Sequence, residues 1–149
     1  MTSPPPEIVK PVEPGIVCSD IEQMLRYYTE VLGLRVVSDA ATPPELSGRF
    51  GATPGGYRIV RLETSLGYRV KLVQPAIAPE RRAPGKWVME RAGIAYLTFV
   101  VTDLTGVVAR LRELGVRIVG ESIVEIRPGI LAVYTLDPEQ NFVEFIEYV

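Results

Sequence analysis

Cys18-Ser-Asp-Ile-Glu-Gln-Met-Leu-Arg-Tyr-Tyr-Thr-Glu-Val-Leu-Gly-Leu-Arg-Val-Val37 is the stretch that decides the fold, because the chain contains it twice. The second copy is Val101-Thr-Asp-Leu-Thr-Gly-Val-Val-Ala-Arg-Leu-Arg-Glu-Leu-Gly-Val-Arg-Ile-Val119. Ser19-Asp20 matches Thr102-Asp103. Gly33 matches Gly115 after a one-residue gap, and Leu34 to Val37 matches Val116 to Val119. Each copy reads as a strand end, an amphipathic helix, a glycine stop and a new strand. A unit repeated twice in a short chain implies two half-modules that bury one core between them.

Working outward from the first copy, Glu13 to Cys18 reads as a strand, with Pro14 near its start because proline cannot donate to a ladder. Ser19 and Glu22 have capping-box spacing. Ile21, Met24, Leu25, Tyr28, Val31 and Leu32 recur at helical spacing and make one apolar face. Gly33 suits the left-handed position that ends a helix. Leu34 to Ser38 reads as a short strand. Ala40 to Gly56 is rich in Pro, Gly, Ala and Ser and reads as a loop. Tyr57–Thr64 and Tyr68–Gln74 flank the turn Ser65-Leu66-Gly67 as a hairpin.

The second copy repeats the order. Ile94 to Val101 is a strand, and a helix follows with Leu104, Val107, Val108, Leu111 and Leu114 on its apolar face. Gly106 weakens that helix by about 1 kcal/mol relative to alanine. Val116–Val119 and Ser122–Ile126 are extended, and Pro128-Gly129 is a turn. Ile130 to Leu136 is a strand, Asp137 to Asn141 a tight turn, and Phe142 to Tyr148 the last strand. The predicted organisation is a flexible proline-rich tail over 1–11 and a single domain over 12–149. Within the domain, module one spans 12–74, the connector 75–93 and module two 94–149.

Composition narrows the function. The 149 residues contain no histidine, which removes every mechanism that needs an imidazole base or ligand. Net charge is −2, which gives no basic surface for nucleic acid. The single Cys18 cannot form an internal disulfide, which fits a reducing cytoplasm. No apolar run is long enough to span a bilayer and no signal-peptide pattern is present, so the expected location is cytoplasmic.

Val17-Cys-Ser-Asp20 leading into Tyr27-Tyr-Thr-Glu-Val-Leu-Gly33 resembles the vicinal oxygen chelate superfamily, which includes glyoxalase I, extradiol dioxygenases and bleomycin-resistance proteins. Phe99-Val-Val-Thr-Asp103 leading into Leu114-Gly115 carries the same resemblance. So does Thr135-Leu-Asp-Pro-Glu-Gln-Asn-Phe-Val-Glu144. The resemblance implies an α+β fold of two βαβββ modules forming a cupped mixed sheet around a central pocket. It also implies a homodimer, and a metal held by one ligand from each of four strands. Carried over residue by residue, those four positions are Glu13, Lys71, Tyr96 and Glu144. Glu13 and Tyr96 each stand seven residues before their aspartates, Asp20 and Asp103. The turn after Leu136 has Gln140 where the family usually has glycine, which costs about 1 kcal/mol if the backbone is left-handed there.

A lysine ammonium has no lone pair for a metal. The expectation is therefore no metal and no cofactor, with Lys71 supplying the positive charge and paired with Glu144, Glu13 or both. In the bland reading this is a leftover ion pair, which need not stabilise the fold. In the functional reading Glu13 and Glu144 are acid and base, while Lys71 and Tyr96 stabilise a developing oxyanion. Strand alternation places Arg69 and Val73 beside Lys71, Thr98 beside Tyr96, and Phe142 and Ile146 beside Glu144. Tyr134 is core or pocket wall, Trp87 serves packing or ligand contact, and Cys18 is a small buried hydrophobe. Two functions remain for a small-molecule ligand: metal-independent isomerase, epimerase or lyase chemistry on a carbonyl or aromatic metabolite, or non-catalytic binding of the bleomycin-resistance type.

Overall fold

Apolar and polar residues alternate along Arg69-Val-Lys-Leu-Val73, and the strand they form is buried on one face only. Val70 and Leu72 are buried, whereas Arg69, Lys71 and Val73 are half-exposed. This pattern of period two is what a sheet with one covered face requires. The computed structural model describes residues 3–81, 83 and 85–149. The elements in chain order are β1 (Gly15–Val17), α1 (Ile21–Arg26) continued by a π-helical turn (Tyr27–Val31), β2 (Arg35–Thr42), α2 (Pro44–Arg49), β3 (Tyr57–Glu63) and β4 (Arg69–Pro75). They continue as β5 (Tyr96–Val100), α3 (Leu104–Glu113), β6 (Ile118–Arg127), β7 (Ile130–Leu136) and β8 (Phe142–Tyr148). Among the described residues no helix is long and apolar enough to cross a membrane.

Two four-stranded sheets result, ordered β1-β4-β3-β2 and β5-β8-β7-β6. In each, the first strand runs parallel to the last and the other neighbours are antiparallel. This is the α+β, twice-repeated βαβββ arrangement expected from the internal repeat. The registers repeat as well. Gly15 lies opposite Lys71 in the first sheet, and Thr98 lies opposite Glu144 in the second.

The chain divides into two compact units, and the division does not follow the sequence modules. Unit 1 holds the chain up to Ile21 together with Tyr28–Pro79; unit 2 holds Glu22–Tyr27 together with Glu80–Val149. Tyr27 shows why the helical segment counts with unit 2, since its buried phenol lies beside Thr135 and Asp137. In unit 1 the covered face of the sheet buries Val60, Leu62, Val70 and Leu72, and Cys18 is fully buried as expected of a small hydrophobe. In unit 2, Leu104, Val108 and Leu111 of α3 are buried, as are Val133, Val143 and Phe145 of the sheet.

Several local readings are corrected. Glu13 and Pro14 precede β1, although the Pro14 carbonyl still accepts from the Lys71 amide at 2.8 Å. The helical stretch after Ser19 does not stay α-helical to Leu32; it widens at Tyr27, and Gly33 ends it at φ 78°. The segment 40–56 is not a plain loop. β2 runs on to Thr42 because it keeps pairing with β3 as far as Thr42↔Tyr57, and Arg58 binds Asp39 across the two strands at 2.7 Å. α2 follows, with Pro44 in its first turn, where a missing N–H costs nothing. The buried Ser47 hydroxyl donates to the Thr53 carbonyl at 2.5 Å and accepts from the Gly56 amide at 3.1 Å. Gly56 has φ 78°, and a β-carbon there would meet the Thr42 carbonyl.

Gly106 has a specific cause. Asp103 adopts φ 52° and caps α3 by accepting from the Gly106 amide at 3.1 Å, and a β-carbon on residue 106 would strike that carboxylate. Glu147 of β8 secures the same helix end, accepting from the amides of Asp103 and Leu104 at 2.9 and 2.8 Å.

The turn into β8 is organised by Asp137, which is 2% exposed. Its Oδ1 accepts from the amides of Glu139 and Asn141, both at 2.9 Å, and its carboxylate also accepts from Asn141 Nδ2. Gln140 sits at φ 68°, the left-handed geometry that the sequence comparison put in question. Asp137→Ala is expected to lower the unfolding free energy by about 2–4 kcal/mol, since it strands buried donors. Gln140→Gly is expected to raise it by up to about 1 kcal/mol, by removing left-handed strain. Urea denaturation followed by circular dichroism measures both, and opposite signs for the two variants are the expected outcome.

Candidate functional site

Cross-strand register builds the site in unit 2. Thr98 of β5, Glu144 of β8, Tyr134 of β7 and Val119 of β6 form one row across the sheet. The next row in the β8 direction is Val100, Ile146, Ala132 and Val124. Side chains two apart on a strand share a face, so the two rows make one continuous surface. Except for Thr98 and Val100 of β5, that surface floors an open cavity of about 700 Å³. Its wall is largely apolar (Val119, Val124, Ile126, Ile130, Ala132, Ile146), and Tyr96, Tyr134 and Glu144 supply polar groups. A mostly apolar concavity with a few converging polar groups is the usual character of a small-molecule site.

Glu144 is 9% exposed. Its Oε2 accepts a hydrogen bond from the Thr98 hydroxyl at 2.6 Å. The Tyr134 phenol lies beside both Glu144 and Tyr96. The Tyr96 and Tyr134 rings meet edge to face, with centroids 5.2 Å apart. Burial first, then Tyr96 and the nearby Glu144 charge, push the Tyr134 phenol well above the ordinary tyrosine range. Among the described residues, Glu144 has no ion pair with a cation of its own unit. The site is therefore a buried carboxylate oriented by the Thr98 hydroxyl, with two phenols close by.

Unit 1 carries the equivalent row. Gly15 of β1, Lys71 of β4, Arg61 of β3 and Ser38 of β2 lie in register. Lys71 stands where Glu144 stands in the other sheet, and Arg61 stands where Tyr134 stands. Glu13 does not pair with Lys71. Its carboxylate lies 4.0 Å from Arg61 and 3.7 Å from Arg69. The reason is geometric: Glu13 precedes the strand, next to the row of Arg69 and Glu63 (Arg69 Nε to Glu63 Oε2 is 3.4 Å). Lys71 has no ion pair within unit 1 among the described residues.

The four positions thus divide between the units, Glu13 and Lys71 in one and Tyr96 and Glu144 in the other. Of the expected neighbours, Arg69 and Val73 share the face of Lys71. Thr98 and Ile146 lie with Glu144, and Phe142 pairs with Tyr96 without lining the cavity. Tyr134 is a central member of the site as well as a wall. Trp87 is 65% exposed, lies under the Lys86 ammonium, and does not line the cavity, whereas Met89 does. Glu121, Ser122 and Arg127 of β6 also line it and were not singled out from the sequence. The alternation of Val124 and Ile126 along β6 was the available signal.

A family model described as the glyoxalase/bleomycin resistance protein/dioxygenase superfamily matches residues 9–145. The chain belongs to this superfamily. Solved structures agree on the fold. A glyoxalase family protein from Bacillus cereus superposes with a TM-score of 0.82 at 21% identity, with 97% of each chain covered. A glyoxylase/bleomycin resistance protein/dioxygenase domain from Frankia superposes with a TM-score of 0.72 at 16% identity, covering 96% of this chain and 94% of that one. The trypanothione-dependent glyoxalase I of Leishmania major reaches 0.64 at 20% identity, covering 91% and 84%. No curated protein sequence matches the chain.

Superfamily membership raises the question of the metal. The four positions carried over from the family resemblance are Glu13, Lys71, Tyr96 and Glu144, and a lysine ammonium among them offers no lone pair to a metal. Among the described residues no three of His, Cys, Asp and Glu come together as a metal site. The residues present do not match the family's donor set.

Tyr27 and Tyr134 both have phenols raised by burial. A raised phenol favours the fold at neutral pH, and that contribution is lost as pH climbs through the folded-state value. Absorbance titration at 295 nm should therefore show tyrosines that ionise only above the ordinary value of about 10. Tyr134→Phe should remove part of that late component; loss from the ordinary component instead, with the late one unchanged, would show that Tyr134 titrates normally.

Proposed function

We propose that this superfamily member catalyses metal-independent proton transfer on a small carbonyl or aromatic metabolite, as an isomerase, epimerase or lyase, with Glu144 as the acid/base group. The observation that carries the reading is the setting of Glu144. A nearly buried carboxylate faces an apolar cavity, is oriented by the Thr98 hydroxyl at 2.6 Å, and has no cation of its unit to neutralise it. A carboxylate held this way keeps its other lone pairs available for a substrate proton, and a fixed position near the reacting carbon is what general-base catalysis requires. Glu13 is less suited to that work, because Arg61 and Arg69 flank it.

Tyr96 and Tyr134 supply the complementary group. A phenol that stays protonated can donate to the oxygen on which negative charge develops. In the proposed step the substrate C–H proton passes to Glu144, its bonding pair moves into an enolate, and the enolate oxygen accepts a tyrosine hydrogen bond. Return of the proton from Glu144 to another carbon gives isomerisation; its return after the bound enolate turns its other face to Glu144 gives epimerisation; expulsion of a leaving group gives elimination.

The aliphatic cavity wall also suits a protein that holds an apolar compound without turning it over. One experiment separates the two readings. A panel of enolisable carbonyl compounds is incubated with the protein in D₂O, and deuterium incorporation and line broadening are read by NMR. Protein-dependent exchange is expected for at least one compound, and Glu144→Gln is expected to slow it by about 10²–10⁴-fold. Exchange at the parent rate in that variant would remove Glu144 from the chemistry. Saturable binding with no exchange by the parent protein would establish the binding function instead.

A further inference from the structure

The open face of the unit 1 sheet is a three-row surface. The first row is Arg35, Glu63 and Arg69, in which charges alternate across the strands. Arg35 and Arg69 both reach Glu63, at 3.2 and 3.4 Å. The second row is Ser38, Arg61, Lys71 and Gly15. The third row is Ala40, Ile59, Val73 and Val17, and it is apolar throughout.

The second row is the anomaly. Arg61 and Lys71 are directly opposed on antiparallel strands, and like charges in that position destabilise a sheet unless something offsets them. The carboxylates available on this face are Glu13 and Glu63, against four cations, Arg35, Arg61, Arg69 and Lys71. Glu63 is taken by Arg35 and Arg69. Glu13 lies between Arg61 and Arg69, and its approach to Arg61, at 4.0 Å, is the longest of these contacts. Lys71 is left without a carboxylate of its unit among the described residues. Its stem lies over Gly15, where a β-carbon would sit 3.8 Å from Lys71 Cε, so no side chain of β1 fills the space beside it.

We infer that this face binds the carboxylate of a small amphiphilic acid. The acid head sits on the Arg61 guanidinium and the Lys71 ammonium, and the apolar body lies along Ile59, Val73 and Val17. The guanidinium supplies a planar pair of donors that matches a carboxylate, and the ammonium adds a point charge. Val17 is 59% exposed, so the apolar row has surface to give up on binding. This inference does not rest on the proton-transfer reading, because it concerns binding to unit 1 side chains alone.

The test uses the full chain and three probes, hexanoate, hexanamide and acetate, titrated by NMR with detection of the arginine and lysine side-chain signals. Hexanoate is expected to bind saturably and to shift Arg61 and Lys71. Hexanamide, which lacks the charge, and acetate, which lacks the body, should each bind at least ten-fold more weakly. Lys71→Gln and Arg61→Gln should each weaken hexanoate by ten-fold or more. Arg61→Lys should restore part of the loss, and Arg35→Gln, at the far edge of the face, should bind like the parent. Circular dichroism confirms that each variant is folded. Equal affinity for hexanoate and hexanamide, or parent affinity in both glutamine variants, would overturn the inference. None of the probes needs to react, so absence of deuterium exchange by the parent protein with hexanoate binding intact would count against the proton-transfer reading only.

Discussion

The parallel pairing of the first strand of each unit with its last strand is the constraint on which the rest depends. Antiparallel neighbours can be set by a short turn, but a parallel neighbour needs a crossover, and here the helical segment after the first strand supplies it. The pairing puts Gly15 opposite Lys71 and Thr98 opposite Glu144. A slip by one residue would turn both charged side chains onto the covered faces, where Leu72 and Val143 are fully buried. Burying an unpaired charge costs several kcal/mol, about as much as a small domain's entire margin of stability. Core packing and site placement are therefore enforced by the same hydrogen bonds.

The same register gives the two units opposite chemistry on one framework. The row with Thr98, Glu144 and Tyr134 is acidic and hydroxyl-bearing. The equivalent row with Gly15, Lys71 and Arg61 is cationic and has no side chain at its β1 end. A duplicated backbone supplies equivalent positions, and side-chain choice then decides what each position does. This is why membership of the superfamily settles the fold and leaves the activity to the residues in the rows.

Much of this was legible in the residues. The repeat at Cys18–Val37 and Val101–Val119 exposes two equivalent halves, and alternation in β4 assigns Lys71 to an open face. The hairpin turn at Ser65–Gly67 even sets Arg61 opposite Lys71. Other features were hidden. The segment 40–56 resembles a loop because Pro, Gly and Ser are turn formers locally, yet strand pairing with β3 and the buried Ser47 hydroxyl organise it. Gly106 looks like a weakness in a helix until the left-handed Asp103 carboxylate is seen to need its space.

By itself the sequence determined the class of fold, the duplication and the absence of any imidazole, because periodicity and composition are local properties of the chain. Only the tertiary structure decided the partners. It gave Glu13 to Arg61 and Arg69 rather than to Lys71, joined Thr98 to Glu144 and set Tyr134 beside them, and moved the residues 22–27 into unit 2. The physical reason is that an ion pair or hydrogen bond depends on angstrom-scale distance between groups many residues apart. Strand register and the exact point where a strand begins set those distances, and no local pattern in the chain records them.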